Sequence, residues 1–240
     1  MSTKYRPELD VSPVLNAEHA NYFQSQIGVL RWAVEIGQIN IMSRLVFDDL
    51  YADIENHFID GADWTDFYGN VKEPIPPNAP KPRGRAVEIT AFVDADHAGD
   101  KVTRRSRTGV LIYLNHAPIM WFSKRQNSVE TSSFGSEFVA LKIATEMIQG
   151  LRYKLRMMGI PIDGPARVLC DNMSVVHNTT APESMLKKKS NAIAYHFVQE
   201  NVAMGVIKIA YEPSETNLAD ALTKVQSAPV RQNLMRQILY

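Results

Sequence analysis

Hydrophobic runs and turn signals beyond residue 85 predict a regular series of strands and helices. An apolar run at 86–94 predicts a first strand, and runs at 108–114 and 118–123 predict two more, joined by the turn-forming sequence at 115–118. Strands connected so closely favour an antiparallel meander.

A long helix is predicted at 133–157, with Ser132 or Ser133 as its N-cap and Gly159 at its end. The remaining elements alternate again: strand 166–171, helix 172–178, helix 190–204, strand 206–211 and a last helix from about Asn217. This order predicts an α/β fold, a five-stranded mixed sheet with helices on both faces, in which the fourth strand lies parallel beside the first.

A proline-rich linker divides the chain. Five prolines between residues 74 and 82 fix the backbone and remove hydrogen-bond donors, so 72–85 is expected to be extended. It separates a first segment, 1–71, from the regular region at 86–228, which a C-terminal tail at 229–240 follows.

Composition allows one large domain and excludes few functions. The 240 residues are 45% hydrophobic, which is enough for a folded core. The 26 basic and 26 acidic side chains give a formal net charge of zero, which does not by itself indicate a nucleic-acid binder. Local basic patches are still compatible with a net charge of zero. The single Cys170, and the lack of a signal peptide or a membrane-spanning run, predict an intracellular protein, cytoplasmic or nuclear.

Four carboxylates lie inside or at the end of apolar segments, where an ionised and unpaired group is costly. Asp94 and Asp171 follow predicted strands, and Glu137 and Asp220 lie on predicted helices. Because the carboxyl ends of neighbouring parallel strands share one edge of a sheet, we expect Asp94 and Asp171 to lie close together. Glu137 heads an apolar helical stripe, and a bound divalent cation would explain that placement.

Convergent carboxylates suit Mg²⁺, and two such ions about 3.5–4 Å apart can promote phosphodiester cleavage. A zinc site would need His and Cys ligands, which the single Cys170 and the scattered histidines do not provide. Acidic residues at strand ends are also common where no metal binds. By pattern alone, Asp96 competes with Asp94.

Several sequence blocks resemble the ribonuclease H domain of copia-type retrotransposon polyproteins. In chain order they are FVDADHAGD at 92–100, RSRTG at 105–109, PIMWFSKRQ at 118–126, ETSSFGSEFVA at 130–140, CDN at 170–172 and NLADALTK at 217–224. The resemblance covers about 86–225.

This resemblance implies that Asp94, Glu137, Asp171 and Asp220 are the catalytic and metal-binding residues, and it favours Asp94 over Asp96. It also implies a five-stranded mixed sheet and two Mg²⁺ ions, with Mn²⁺ as a substitute. The implied activity is hydrolysis of the RNA strand of an RNA–DNA hybrid.

The first segment resembles the stretch just after the reverse transcriptase palm, on the block YFQSQIGVLRW at 22–32 within a predicted helix at 18–39. The polymerase motif Tyr-x-Asp-Asp is absent, and VFDD at 46–49 is a near miss. The sequence after Met42 is shorter than this resemblance leads us to expect. We therefore expect a truncated, internally deleted polyprotein fragment without polymerase activity, whose partner is the missing polymerase domain in a retroelement particle.

Many ribonucleases H carry a histidine in the loop before the last carboxylate, and the loop here, 212–216, has none. His196 lies on a predicted helix and is expected to pack rather than react.

Phosphate and ribose contacts are expected from basic and small polar side chains near the carboxylates. The candidate nucleic-acid-binding residues are Arg104, Arg105, Arg107, Lys124, Arg125, Ser132, Ser133, Asn172, Lys187, Lys188 and Lys189.

Two alternatives to a nuclease stay open from sequence. One is an inactive retroelement remnant that only binds nucleic acid or a protein. The other is a transposase or integrase, which is disfavoured because its acidic residues occur in the order Asp, Asp, Glu, whereas Glu137 precedes Asp171 here.

Overall fold

The computed structural model describes residue 58 and residues 62–184, 186 and 191–239. The helix predicted at 18–39, the VFDD block at 46–49 and the predicted nucleic-acid-binding residues Lys187, Lys188 and Lys189 all lie outside the described residues.

The described residues form five strands and six helices. In chain order these are α1 (Thr65–Tyr68), β1 (Ile89–Asp96), β2 (Arg107–Leu114), β3 (Ala117–Arg125), α2 (Ser133–Met157), β4 (Ala166–Cys170), α3 (Met173–Thr180), α4 (Ala192–Ala203), β5 (Ile207–Tyr211), α5 (Asp220–Thr223) and α6 (Ala228–Leu239). None of the described helices has the combination of length and apolarity that crossing a bilayer requires.

The five strands form one mixed sheet in the order β3-β2-β1-β4-β5. β2 pairs antiparallel with both β1 and β3, whereas β4 pairs parallel with both β1 and β5. The long helix α2 makes the crossover that parallel pairing requires. The predicted meander and the predicted place of the fourth strand are both confirmed.

One face of the sheet packs against α2, α3 and α4. Ala91, Val93 and Ala95 alternate along β1 and belong to this core, where Leu141 and Ile148 of α2 are fully buried. Burying one large aliphatic side chain contributes about 1.5–3 kcal/mol, so this stripe fixes the rotation of α2 about its axis. That rotation also sets the direction in which Glu137 points.

The opposite face is covered by α5 and α6, so helices lie on both faces as predicted. Phe92 and Leu111 of the sheet form a second core with Leu222 of α5 and with Leu234 and Ile238 of α6. The sequence analysis assigned α6 only to a C-terminal tail. The sequence feature that indicates this helix is the spacing of Leu234 and Ile238, which lie four positions apart on one helical face.

β1 extends to Asp96, two residues beyond the predicted strand end at Asp94. The extension occurs because β2 keeps pairing with β1 as far as Asp96↔Arg107. On the other side, the pairing of β1 with β4 stops at Val93↔Cys170. A notch therefore opens in the sheet beside Asp94.

The proline-rich linker lies against the C-terminal end of α2. The Glu73 carboxylate accepts hydrogen bonds from Arg152 Nη2 and Arg156 Nη2, both at 2.7 Å, and Arg152 is buried. Further along, the Arg83 backbone N–H donates to the Gly159 carbonyl at 2.8 Å. These contacts fix the path by which the upstream chain reaches the sheet.

Gly109 provides the first test of this packing, because it lies opposite Asp94 in the β1–β2 pair. A Cβ atom on Gly109 would lie 2.6 Å from Thr223 Cγ2 and 2.9 Å from the Ala219 carbonyl oxygen. We expect Gly109→Ala to force α5 away from the sheet and to lower the free energy of unfolding by about 1–3 kcal/mol, measured by urea denaturation.

Gly150→Ala is the matched control. Gly150 lies inside α2, and no atom lies within 4 Å of the Cβ position there. The added methyl should raise the free energy of unfolding by about 0.5–1 kcal/mol through helix propensity. Equal effects of the two substitutions would contradict the close approach of α5.

Candidate metal centre

Two carboxylates meet at the notch beside β1. Because Val93 pairs with Cys170 in the parallel β1–β4 ladder, the next residues, Asp94 and Asp171, emerge at the same sheet edge. Asp94 is fully buried and Asp171 is half-buried. The structure thus brings together the two strand-end carboxylates that the sequence analysis paired.

α2 supplies a third carboxylate. Its N-cap Ser132 accepts a hydrogen bond at 3.2 Å from the backbone N–H three residues on, which starts the helix just over one turn before Glu137. The ligand oxygen atoms of Asp94, Glu137 and Asp171 all lie within 4.8 Å of one another. The group includes Asp94 and not its sequence competitor Asp96.

Glu137 has an acidic oxygen without a partner in this group. The residue is 6% exposed, and Oε2 has no hydrogen-bond partner among the described residues. Burial, reinforced by the charges of Asp94 and Asp171, raises the pKa of Glu137 to about 9. Burial also raises the pKa of Asp94, although the Lys224 ammonium opposes the shift.

The three side chains fit a hard divalent cation. They offer only carboxylate oxygens, which Mg²⁺ and Mn²⁺ accept, and the group contains no His or Cys of the kind a structural zinc site uses. A cation would also give Glu137 Oε2 the partner that it lacks and would favour the ionised form of both buried acids.

The segment that carries the fourth predicted carboxylate is tied to β1. The Asn217 Nδ2 donates to the buried Val93 carbonyl at 2.9 Å, just before α5 begins at Asp220. Lys224, immediately after α5, places its Nζ 2.6 Å from Asp220 Oδ1 and 3.3 Å from Asp94 Oδ1.

Asp220 is therefore linked to the acidic group through the ammonium group of Lys224. It is not one of the three carboxylates whose oxygens cluster within ligand distance, and its Oδ2 accepts a hydrogen bond from Gln226 Nε2 at 2.8 Å. The structure brings three of the four predicted carboxylates together and links the fourth to Asp94 by Lys224.

The loop before α5 contacts Asp171. The Ser214 hydroxyl donates to Asp171 Oδ2 at 2.6 Å. Because the loop has no histidine, a hydroxyl and not an imidazole faces the carboxylate from this side. Unlike an imidazole, the Ser214 hydroxyl does not ionise near neutral pH.

Four of the predicted basic residues lie around the same end of the sheet. Arg104 is exposed in the β1–β2 loop and Arg105 is half-buried beside it, whereas Arg107 begins β2 and Lys124 is exposed on β3. These positions are compatible with phosphate binding, which stays a prediction.

Arg125 is engaged within the protein. Its Nη1 lies 2.5 Å from Asp100 Oδ2, and Asp100 also accepts hydrogen bonds from the backbone N–H groups of Val102 and Thr103. This network holds the β1–β2 loop against β3. Binding a phosphate through Arg125 would have to compete with this ion pair.

The predicted small polar contacts lie at two helix N-termini. Ser132 caps α2, and Asn172 caps α3 by accepting a hydrogen bond from the Val175 backbone N–H at 3.2 Å. Ser133, the first residue of α2, is exposed. The cap contact of Asn172 uses only its acceptor oxygen Oδ1, so the donor hydrogens of its side-chain amide are not used by capping.

His196 lies on α4, where its Nδ1 is 2.9 Å from the Tyr68 hydroxyl of α1 and its ring meets Tyr195 edge-on at 5.2 Å. His196 is exposed, so it makes these contacts at the surface and not in the core, and it lies outside the acidic group.

The sequence analysis missed the residues that hold the two aspartates. Lys224 and Thr223 both contact Asp94, since the Thr223 hydroxyl donates to Asp94 Oδ2. The available signal was the i, i+4 spacing of Asp220 and Lys224, which pairs opposite charges on one helical face.

Comparison with curated proteins finds retrotransposon polyproteins among the relatives of this chain. The chain is 32% identical over 156 residues to the retrovirus-related Pol polyprotein from transposon RE2 of Arabidopsis thaliana, a match that covers 65% of this chain and 11% of that protein. The corresponding polyprotein from transposon TNT 1-94 of Nicotiana tabacum is 29% identical over 137 residues, covering 57% of this chain and 10% of that protein. The resemblance to retrotransposon polyproteins is confirmed, and the chain spans about a tenth of the length of these relatives.

No protein-family profile matches the chain. Similar solved structures include an RNase H1 named LC11 in complex with an RNA/DNA hybrid, which is 19% identical with a TM-score of 0.44 and matches 57% of this chain and 94% of that one.

The raised pKa of Glu137 leads to a prediction of how stability depends on pH when no metal is bound. Between the ordinary Glu pKa of 4.5 and the raised pKa of about 9, folded Glu137 keeps a proton that the unfolded chain has released. Stability should therefore fall as the pH rises through this range, and thermal unfolding in a chelator should show a lower Tm at the alkaline end.

Glu137→Gln should remove most of this dependence. Glu146→Gln, which changes an exposed carboxylate on the same helix, should preserve it. The same slope of Tm against pH in the wild type and in Glu137→Gln would contradict the assignment.

Proposed function

We propose that this chain is an Mg²⁺-dependent endonuclease that hydrolyses the RNA strand of RNA–DNA hybrids. The observation that carries the proposal is the group of Asp94, Glu137 and Asp171 at the sheet edge, with one buried acidic oxygen left without a partner among the described residues. The similarity to Pol polyproteins supports it, because the blocks around these carboxylates resemble the ribonuclease H part of such polyproteins.

Mg²⁺, with Mn²⁺ as a substitute, would be held by Asp94, Glu137 and Asp171, and the resemblance leads us to expect two ions. When bound, the metal supplies activation of a water molecule and stabilisation of charge on phosphate oxygens.

The chain's own residues keep the carboxylates in position. Thr223 and Lys224 donate to the two oxygens of Asp94, and Ser214 donates to Asp171. Carboxylates that are held by such contacts lose less conformational freedom when they bind a ligand. Positioning is therefore the role of the segment 214–224.

An RNA–DNA hybrid is the proposed substrate because donors suited to both strands surround the carboxylates. Ser133 lies one turn before Glu137, and Asn172 directly follows Asp171, so both flank the group and can donate to 2′-hydroxyl or phosphate oxygens. Exposed basic residues such as Arg104 and Lys124 supply phosphate contacts. A polymerase domain is the proposed partner that holds a long hybrid.

The test is cleavage of a labelled RNA–DNA hybrid by the purified chain. We expect RNA-strand cleavage in Mg²⁺ or Mn²⁺, lost in Asp94→Asn because that change removes a charged oxygen from the group. Asp96→Asn is the matched control, since it changes a carboxylate two residues away that lies outside the group, and it should keep most of the activity.

Two results would count against the proposal. Cleavage that persists in Asp94→Asn would place the chemistry elsewhere. Failure of a folded wild-type chain to cleave in either metal would favour the binding-only remnant, which a hybrid-binding measurement would then identify.

A further inference from the structure

Lys224 is a basic side chain that contacts two buried aspartates of the site, Asp94 and Asp220. Its Nζ lies 2.6 Å from Asp220 Oδ1 and 3.3 Å from Asp94 Oδ1, so the ammonium bridges the first and the fourth predicted carboxylates. Burial lowers the pKa of Lys224, but the charges of Asp94 and Asp220 outweigh it and raise the pKa well above the ordinary value. The side chain is therefore a cation at every physiological pH.

The hydrogen-bond partners of the acidic oxygens divide the site into two parts. Both oxygens of Asp220 are engaged, Oδ1 by Lys224 and Oδ2 by Gln226, and both oxygens of Asp94 are engaged, by Lys224 and Thr223. Glu137 Oε2 has no partner among the described residues. Among the described residues, no group donates to Glu137 Oε2, whereas the Lys224 ammonium contacts both Asp94 and Asp220.

Lys224 is placed so that it can leave. It follows the last residue of α5, its backbone N–H donates to the Asp220 carbonyl at 3.1 Å, and its side chain is 37% exposed. The backbone anchor would remain while the flexible side chain turned to solvent.

We propose that Lys224 is a built-in cation that competes with the second divalent ion for Asp94 and Asp220. Without nucleic acid, the chain then binds one divalent ion, through Asp94, Glu137 and Asp171, and Lys224 fills the second cation position. This inference rests on the proposed metal-dependent function and adds to it a rule for when the second ion enters. Before nucleic acid binds, Asp220 therefore holds the ammonium group of Lys224.

The test is a Mn²⁺ titration of the full chain without nucleic acid, in which electron paramagnetic resonance counts the bound ions. The wild type should bind one ion. Lys224→Met should bind a second ion about tenfold or more tightly than the wild type does, because a unit charge close to both carboxylates is gone. Lys224→Arg keeps the charge and should bind one ion, as should the control Lys101→Met, which changes an exposed loop lysine.

Two further variants keep the test valid if Lys224→Met fails to fold, which circular dichroism would show. Asp220→Asn should leave the affinity of the first ion within a few-fold of wild type, whereas Glu137→Gln should abolish it. An equal loss in both variants would overturn the division of the site.

The remaining outcomes separate this inference from the proposed function. Two ions bound by the wild type, with unchanged affinities in Lys224→Met, would overturn the competition and leave the metal centre intact. No ion bound by any folded variant would overturn both the inference and the proposed metal-dependent function.

Discussion

Acidic side chains can stay ionised where water is scarce only if something positive or hydrogen-bonded faces them. Asp94 and Glu137 are buried at the edge of a sheet, and burial alone raises the pKa of each. The chain meets this cost for Asp94 with Thr223 and Lys224, and it leaves one oxygen of Glu137 without a partner among the described residues. This oxygen is the atom to which the proposed cation would give a partner.

The fold supplies this arrangement through two close approaches. α2 approaches one face through its apolar stripe, which directs Glu137 toward the end of β1. On the other face, α5 approaches β2 at Gly109, where a side chain would collide with Thr223. Asn217 then ties the start of that segment to the Val93 carbonyl. The carboxylate geometry therefore depends on contacts from both faces of the sheet.

Much of this could be predicted from sequence, because periodicity and chain order carry the information. The bounds of α2, the place of β4 beside β1 and the meeting of Asp94 with Asp171 follow from apolar runs and from the rule that parallel neighbours share an edge, whereas the place of β5 was not predicted. The end of β1 could not be predicted, because it depends on pairing with β2 that extends to Arg107.

Side-chain partners were harder to predict than elements. From sequence, Arg125 is predicted to be a surface cation that binds nucleic acid. In the structure it pairs with Asp100, twenty-five residues away, because β3 and the β1–β2 loop come together only in the fold. Asp220 reads as one of four equivalent acids, and only the three-dimensional arrangement shows Lys224 between it and Asp94. Long-range pairing of charges leaves little trace in local pattern.

The most direct measurement is a crystal structure of the chain soaked in Mn²⁺, with anomalous diffraction recorded at the manganese edge. A peak within coordinating distance of Asp94, Glu137 and Asp171 is the predicted result, because these three side chains bring ligand oxygens within 4.8 Å of one another. A well-ordered site without a peak, or a peak bound by other residues, would contradict the account.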